Sequence, residues 1–63
     1  MRNKIAEYRH KVGMTQQELA DKAHITRTYL SFLETQKQKV VGSDVMFQIA
    51  DALNVPYYEI FLR

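Results

Sequence analysis

The sequence predicts an all-α fold, a compact bundle of five short helices. Apolar residues recur at helical spacing through most of the 63-residue chain, and no stretch alternates apolar and polar residues as a half-buried strand does. The two glycines and the single proline fall between these stretches, where helices begin or end. An apolar fraction of 46% indicates a folded globule. We expect one domain over residues 1–63.

The first two helices are predicted from apolar spacing and from their caps. The first contains the apolar positions between Ile5 and Val12, and Gly13 after them predicts a C-terminal cap. The run TQQE then begins at Thr15, a threonine N-cap followed three residues later by glutamate, which is a capping box. The second helix is therefore expected over about residues 16–23.

The third helix is predicted over about residues 27–35, because Thr26 is a suitable N-cap. Its apolar positions are Tyr29, Leu30 and Leu33. The following run TQKQKVVG has no helical period and predicts a loop.

The fourth helix is predicted after the capping run GSD. Its apolar stripe contains Met46, Ile49, Ala50 and Leu53. Asn54 predicts a left-handed C-cap, and Pro56 suits the first turn of a last short helix. The side chains expected to pack back from that helix are Tyr57, Ile60 and Phe61.

The charges divide the chain into a basic and an acidic part. Residues 1–39 hold eight lysines and arginines against four acids, whereas residues 40–63 hold one arginine against three acids. A basic half favours a polyanionic partner, although small domains also show such imbalances by chance.

Composition excludes several classes of protein. The chain has no cysteine, which removes disulfides and thiolate metal sites and fits a reducing compartment. Its N-terminus is charged, and no apolar run approaches the roughly 18 residues of a membrane span. It shows no nucleophile–base pair and no Gly-rich phosphate loop. We expect a cytoplasmic protein without catalytic residues, metal, cofactor, small-molecule ligand or membrane contact.

The segment from Gln16 to Leu33 has the spacing of a helix-turn-helix. Ala20 is small where the two helices must approach closely, and the turn needs a residue in the left-handed region. His24 stands there, and histidine tolerates that region better than most residues. We predict a positive φ at His24 and a structural role for it, not metal binding. The second helix of the pair then projects outward, and its N-terminal half can enter a DNA major groove.

The chain resembles the phage-repressor, or Xre/Cro-like, helix-turn-helix family. The matching runs are IAEYRHKVGMTQQELADKA, ITRTYLSFLE and FQIADALNVPYYEIF, together about residues 5–61. The resemblance implies a five-helix bundle of this type that binds double-stranded DNA as a homodimer at an operator with two-fold symmetry. The function it implies is transcription regulation, which we expect to be repression. It also implies a bacterial origin, on a phage or another mobile element.

The resemblance also implies particular DNA contacts. Gln16 would bond a phosphate and brace the recognition helix, and Arg27 and Thr28 would face base edges. Arg27 has an independent chemical argument, since an exposed arginine at this helix start can form a fork with guanine O6 and N7. Phe32 occupies another base-facing position, where the family usually has a polar residue. It would either meet a thymine methyl group or pack on a neighbour and read nothing.

Further contacts are expected around the same helix. The amides beside Thr26 would face a phosphate, and Tyr29 would either bond a phosphate or lie half-buried against the second helix. The remaining candidates are Gln17, Ser31, Lys37 and Lys39. The two lysines belong to a loop that departs from the family pattern in length and in lacking its usual glycine and proline.

Two more expectations concern stability and assembly. Arg9 and Glu34 match a family pair that forms a structural salt bridge between helices 1 and 3. Beyond the regular stripes there is an excess of apolar residues, which indicates either a dimer surface or a larger core. The dimer-surface candidates are Val40, Val41, Phe47, Tyr57 and Tyr58. The excess also includes Val45.

An alternative function is a protein-binding module, such as the antitoxin of a toxin–antitoxin pair. Such proteins can carry the same fold. The feature expected to distinguish them is an additional segment beyond the bundle, which this sequence does not show.

Overall fold

The computed structural model describes residues 2–35 and 42–62. These contain five helices: α1 (Ile5–Lys11), α2 (Gln16–Ala23), α3 (Arg27–Glu34), α4 (Ser43–Leu53) and α5 (Tyr57–Ile60). The predicted all-α class is confirmed. None of the described helices is long and apolar enough to cross a membrane. Four predicted positions lie outside the described residues: Lys37, Lys39, Val40 and Val41.

The first and last described segments form a short antiparallel pair that the sequence did not predict. Strand β1 (Arg2–Asn3) pairs with β2 (Phe61–Leu62). Two residues are too few to show an alternating pattern. The Asn3 amide donates to the Leu33 carbonyl oxygen over 2.8 Å, and its Oδ1 accepts from the Ile5 N–H at 3.1 Å. Asn3 therefore links this pair to the end of α3 and to the start of α1.

Most predicted helix caps are present. Thr15 Oγ1 accepts from the Glu18 N–H at 3.0 Å, and Glu18 Oε1 accepts from the Thr15 N–H at 2.8 Å, which completes the capping box. That backbone hydrogen bond lowers the pKa of the Glu18 carboxyl below its ordinary value. Asn54 ends α4 in the left-handed region with φ 60°. Pro56 was expected in the first turn of the last helix but is its N-cap, the residue just before α5 begins at Tyr57.

The core is built from the apolar faces of the five helices, with α2 packed against α3 and α4. Its buried members are Ile5, Leu19, Ala20, Ala23, Leu30, Leu33, Ile49, Ala50, Leu53, Ile60 and Phe61. Each fully buried Leu or Ile contributes about 1.5–3 kcal/mol relative to an exposed one. This core fixes α3 along one side only.

Two apolar residues expected to pack are exposed instead. Val12 follows the last residue of α1 as its C-cap, so its side chain lies past the packed face and is 53% exposed. Tyr57 is the first residue of a four-residue helix in which Ile60 takes the buried position. Conversely, Val45 is half-buried and packs against the core, so the larger-core alternative is correct for this residue.

A polar contact joins α1 and α5 at the surface. The Tyr8 hydroxyl donates to Glu59 Oε1 over 3.0 Å. This hydrogen bond is the main cause that raises the pKa of the Tyr8 phenol above its ordinary value. Lys11 Nζ lies 4.7 Å from the centre of the Tyr8 ring, a cation–π distance.

Candidate nucleic-acid interface

The turn between α2 and α3 has the predicted left-handed geometry. His24 has φ 61° and ψ 40°, which confirms the predicted positive φ. The Ile25 N–H reaches back to the Ala20 carbonyl oxygen at 3.0 Å. Ala20 is completely buried, and Ile25 packs against the core. The turn is therefore held by backbone hydrogen bonds on one side and by apolar packing on the other.

The outer face of α3 carries four of the ten predicted DNA contacts, Arg27, Thr28, Ser31 and Phe32. Thr26 begins the helix, and its Oγ1 accepts from the Tyr29 N–H at 3.0 Å. Leu30 and Leu33 face the core. The opposite side borders an open concavity of about 460 Å³, lined by Gln17, Arg27, Thr28, Ser31, Phe32 and Thr35. The α3 helix with its C-cap, together with Gln17 of α2, thus presents these side chains on one surface.

Thr35 is a member of this surface that the sequence analysis missed. It is the C-cap of α3, and its Oγ1 donates to the Phe32 carbonyl oxygen over 3.0 Å. The signal was available, since residue 35 continues the helical face of residues 28, 31 and 32. Thr35 falls both at the end of the predicted third helix and at the beginning of the predicted loop, and neither prediction gives it a DNA contact.

A buried polar network joins α1, α2 and α3 behind this face. Arg9 Nε donates to Glu34 Oε2 over 2.8 Å, and Arg9 Nη2 donates to Glu34 Oε1 over 3.1 Å. The Arg9 and Glu34 side chains are 11% and 7% exposed. A third Arg9 donor, Nη1, bonds the Met14 carbonyl oxygen at 2.9 Å. Such a two-point, charge-assisted pair fixes orientation as well as distance.

Gln16 belongs to this network. Its Nε2 donates to Glu34 Oε1 over 3.0 Å, so the first residue of α2 is tied directly to the last residue of α3. An amide nitrogen carries two donor hydrogens. One of them braces α3 through Glu34, and among the described residues no hydrogen bond is formed by the other.

The other predicted contacts differ in their surroundings. Tyr29 is half-buried and packs against the core, whereas Thr28 is exposed. Gln17 is exposed, and its Nε2 donates to Asp21 Oδ1 over 2.8 Å along α2.

A second concavity, of about 720 Å³, continues from the first along the start of α2. Its lining includes His10, Thr15, Gln16 and Arg27. Arg27 lines both concavities. Sequence reasoning did not assign His10 to this surface, because only packing of α1 beside α2 brings it there.

Three exposed aromatic side chains form a separate surface on α4 and α5, which we call the aromatic surface. Phe47, Tyr57 and Tyr58 are 50%, 42% and 64% exposed. The rings of Phe47 and Tyr57 lie 5.0 Å apart, and those of Tyr57 and Tyr58 lie 5.9 Å apart, both edge to face. None of the three lines either concavity.

Comparison with known proteins agrees with this geometry. A family model described as helix-turn-helix matches residues 5–60. The chain belongs to the Xre/Cro-like helix-turn-helix family. Its members and relatives are DNA-binding transcription regulators. An uncharacterised HTH-type transcriptional regulator of Archaeoglobus fulgidus is 37% identical over 62 residues, which cover 98% of this chain and 87% of the relative.

Solved structures show the same architecture. The N-terminal DNA-binding domain of SinR from Bacillus subtilis is 30% identical with a TM-score of 0.80, covering 86% of this chain and 78% of that domain. The restriction-modification controller protein C.AhdI from Aeromonas hydrophila is 28% identical with a TM-score of 0.82, covering 90% of this chain and 85% of that protein. The Archaeoglobus fulgidus relative is archaeal, so the expected bacterial, phage or mobile-element origin stays a prediction.

Proposed function

We propose that the protein is a repressor that binds a two-fold-symmetric DNA operator as a homodimer, with α3 in the major groove. The observation that carries this proposal is the two-sided character of α3. Leu30 and Leu33 anchor one side in the core, while Arg27, Thr28 and Ser31 line the open concavity on the other. A helix held in this way can enter the groove without rearrangement of the domain.

The side chains divide into base-reading and phosphate-binding groups. Arg27 forms a fork with guanine O6 and N7, and Thr28 and Ser31 contact neighbouring base edges. Gln16 uses its second amide hydrogen on a phosphate while the first remains on Glu34. Phosphate contacts set the register of the protein on DNA, and base contacts select the sequence. The remaining proposed contacts are Gln17, Thr26, Tyr29, Lys37 and Lys39.

The aromatic surface supports the homodimer. Phe47, Tyr57 and Tyr58 expose large apolar rings next to one another. Contiguous exposed apolar surface is typical of protein contacts, and a two-fold axis pairs the same patch on both copies. Such a dimer places its two α3 helices on half-sites about one helical turn apart. A dimer bound over a promoter would block transcription by occupying it.

Selection of bound duplexes from a random DNA library, at moderate and raised salt, tests the proposal. We expect a palindromic site with half-sites about 10–11 base pairs apart. The variant Arg27→Ala should then lose about 1–3 kcal/mol of binding and relax the preference at one position of each half-site.

Lys22→Ala is the matched control, because Lys22 is also an exposed cation but lines neither concavity. It should leave the sequence preference unchanged. If both variants lose the same affinity and the library yields no site, binding is only electrostatic and the proposal is wrong.

Sedimentation equilibrium tests the dimer separately. Phe47→Ser combined with Tyr58→Ser should shift the protein toward monomer while it stays folded by circular dichroism. A wild-type protein that remains monomeric both free and on its operator would contradict the homodimer. In that case the aromatic surface would favour the alternative, a protein-binding module with a different partner.

A further inference from the structure

Phe32 is an apolar side chain in polar surroundings on the outer face of α3. The other residues that line the same concavity are arginine, glutamine, serine and two threonines. The Phe32 side chain is 49% exposed. Within residues 2–35 and 42–62, it belongs neither to the core, nor to the residues packed against it, nor to an aromatic pair. The sequence left open whether Phe32 contacts a thymine methyl group or packs on a neighbouring residue. Among the described residues, Phe32 does not pack into the core or against another aromatic ring.

The backbone that carries Phe32 is held in place by its neighbours. Leu33, the next residue, is 1% exposed and anchors this turn in the core. The Phe32 carbonyl oxygen accepts from Thr35 Oγ1 at 3.0 Å, which closes the end of the helix. Phe32 lies one turn after Thr28, which is a displacement of about 6 Å along the axis. That distance corresponds to about two base pairs of DNA.

We propose that Phe32 reads the C5-methyl group of a pyrimidine in the operator. This inference rests on the proposed function. A phenylalanine ring has no donor or acceptor, so it cannot read the hydrogen-bonding pattern of a base edge. The C5-methyl of thymine is the apolar group that the major groove offers to it. The same methyl group occurs on 5-methylcytosine. Burying one such group gives about a fourfold preference per half-site and about fifteenfold when both half-sites change.

The experiment uses the operator recovered from the random library. Binding of the wild-type protein is measured on duplexes in which each thymine in turn is replaced by uracil, which removes the methyl group and keeps the pairing. The same series is repeated with Phe32→Ala and with Phe32→Leu. At the position thus found, duplexes with cytosine and with 5-methylcytosine are also compared.

We expect one thymine per half-site, within about two base pairs of the Thr28 contact, at which uracil weakens wild-type binding about fourfold. Phe32→Ala should bind thymine and uracil equally there, and Phe32→Leu should keep most of the preference. A gain with 5-methylcytosine over cytosine identifies the methyl group itself as the ligand. If 5-methylcytosine binds no better than cytosine, while replacing thymine with uracil still weakens binding, the methyl group that Phe32 contacts is that of thymine.

Phe47→Ala is the matched control, since Phe47 is 50% exposed but lies on the aromatic surface. It can weaken binding through the dimer, but it should leave the thymine-to-uracil ratio at the wild-type value. The inference is overturned if that ratio is the same in wild type and Phe32→Ala at every position, or if the operator lacks thymine and tolerates Phe32→Ala. A library that yields no operator overturns the proposed function, and this inference with it.

Discussion

Removing the Glu34 carboxylate should destabilise this protein more than any ordinary surface substitution. In Glu34→Ala, Arg9 loses two of its three hydrogen bonds and keeps the one to the Met14 carbonyl oxygen. Gln16 loses its bond to α3 as well. Breaking a buried ion pair by removing one partner costs about 3–5 kcal/mol, because a charge is left in a poorly solvated place. The remaining Met14 contact and the small residual exposure place the expected loss near the lower end, about 3 kcal/mol.

That loss is large for a domain of this size. A 63-residue protein has a total stability of about 3–9 kcal/mol. In so small a domain, 1 kcal/mol shifts the melting temperature by about 4–8 °C, so we expect a decrease of about 12–24 °C. Urea unfolding followed by circular dichroism measures the free energy directly, and a thermal scan measures the shift.

Glu7→Ala is the control for this experiment. Glu7 also faces a cation, with Lys11 Nζ 3.8 Å from its Oε2, but both side chains are more than half exposed. Exposed pairs of this kind contribute about 0–1 kcal/mol. The double variant Arg9→Met with Glu34→Leu should recover part of the loss, since no buried charge remains unpaired. A Glu34→Ala loss no greater than that of Glu7→Ala would refute the argument.

Four further variants test smaller features. His24→Gly should raise the free energy of unfolding by about 0.5–1 kcal/mol, measured by urea unfolding. Glycine removes the strain of the left-handed conformation, and this gain exceeds the loss from the greater conformational entropy of the unfolded chain. A decrease in stability would contradict this. Thr15→Ala should lose about 1 kcal/mol. The pKa of Glu18 is lowered. Its contribution to folding stability is therefore full above its ordinary pKa and is lost as pH falls through the lowered value. At acid pH, Glu18→Gln should then unfold at the same urea concentration as wild type. The pKa of Tyr8 is raised, mainly by its hydrogen bond to Glu59, so the wild-type advantage over Tyr8→Phe should be full below the ordinary tyrosine pKa of about 10 and should be lost as pH rises through the raised value.

The helices were predictable because their signals are local. The spacing of apolar residues and the capping residues Thr15 and Thr26 gave α2 as the structure has it and α3 to within one residue. The left-handed turns at His24 and Asn54 follow from the same local preferences. The pairing of β1 with β2 was not predictable, because it joins segments distant in sequence whose two residues carry no pattern.

The candidate site was predictable where it follows the periodicity of one helix. Thr28 and Phe32 are four residues apart and therefore share one side of α3, next to Arg27. That these three side chains face DNA is what the family resemblance implies, and it stays a prediction. His10 could not be assigned in this way, since its place beside the start of α2 depends on how α1 packs. Burial at the ends of short helices was equally hard to predict, as Val12 shows, because one residue more or less of helix decides which side chain faces the core.

The Glu34 network joins the stability of the domain to the orientation of α3, the helix proposed to read DNA. Glu34 Oε1 accepts from Arg9 of α1 and from Gln16 of α2, while its own backbone ends α3. Any tilt of α3 must therefore lengthen a hydrogen bond in a nearly buried place, which costs about 1–3 kcal/mol. The same tilt would move Arg27 relative to the phosphate that Gln16 is proposed to bind. At that cost the tilted arrangement is a minority conformation, so the angle between α2, proposed to bind phosphate, and α3, proposed to read bases, is set within the free domain.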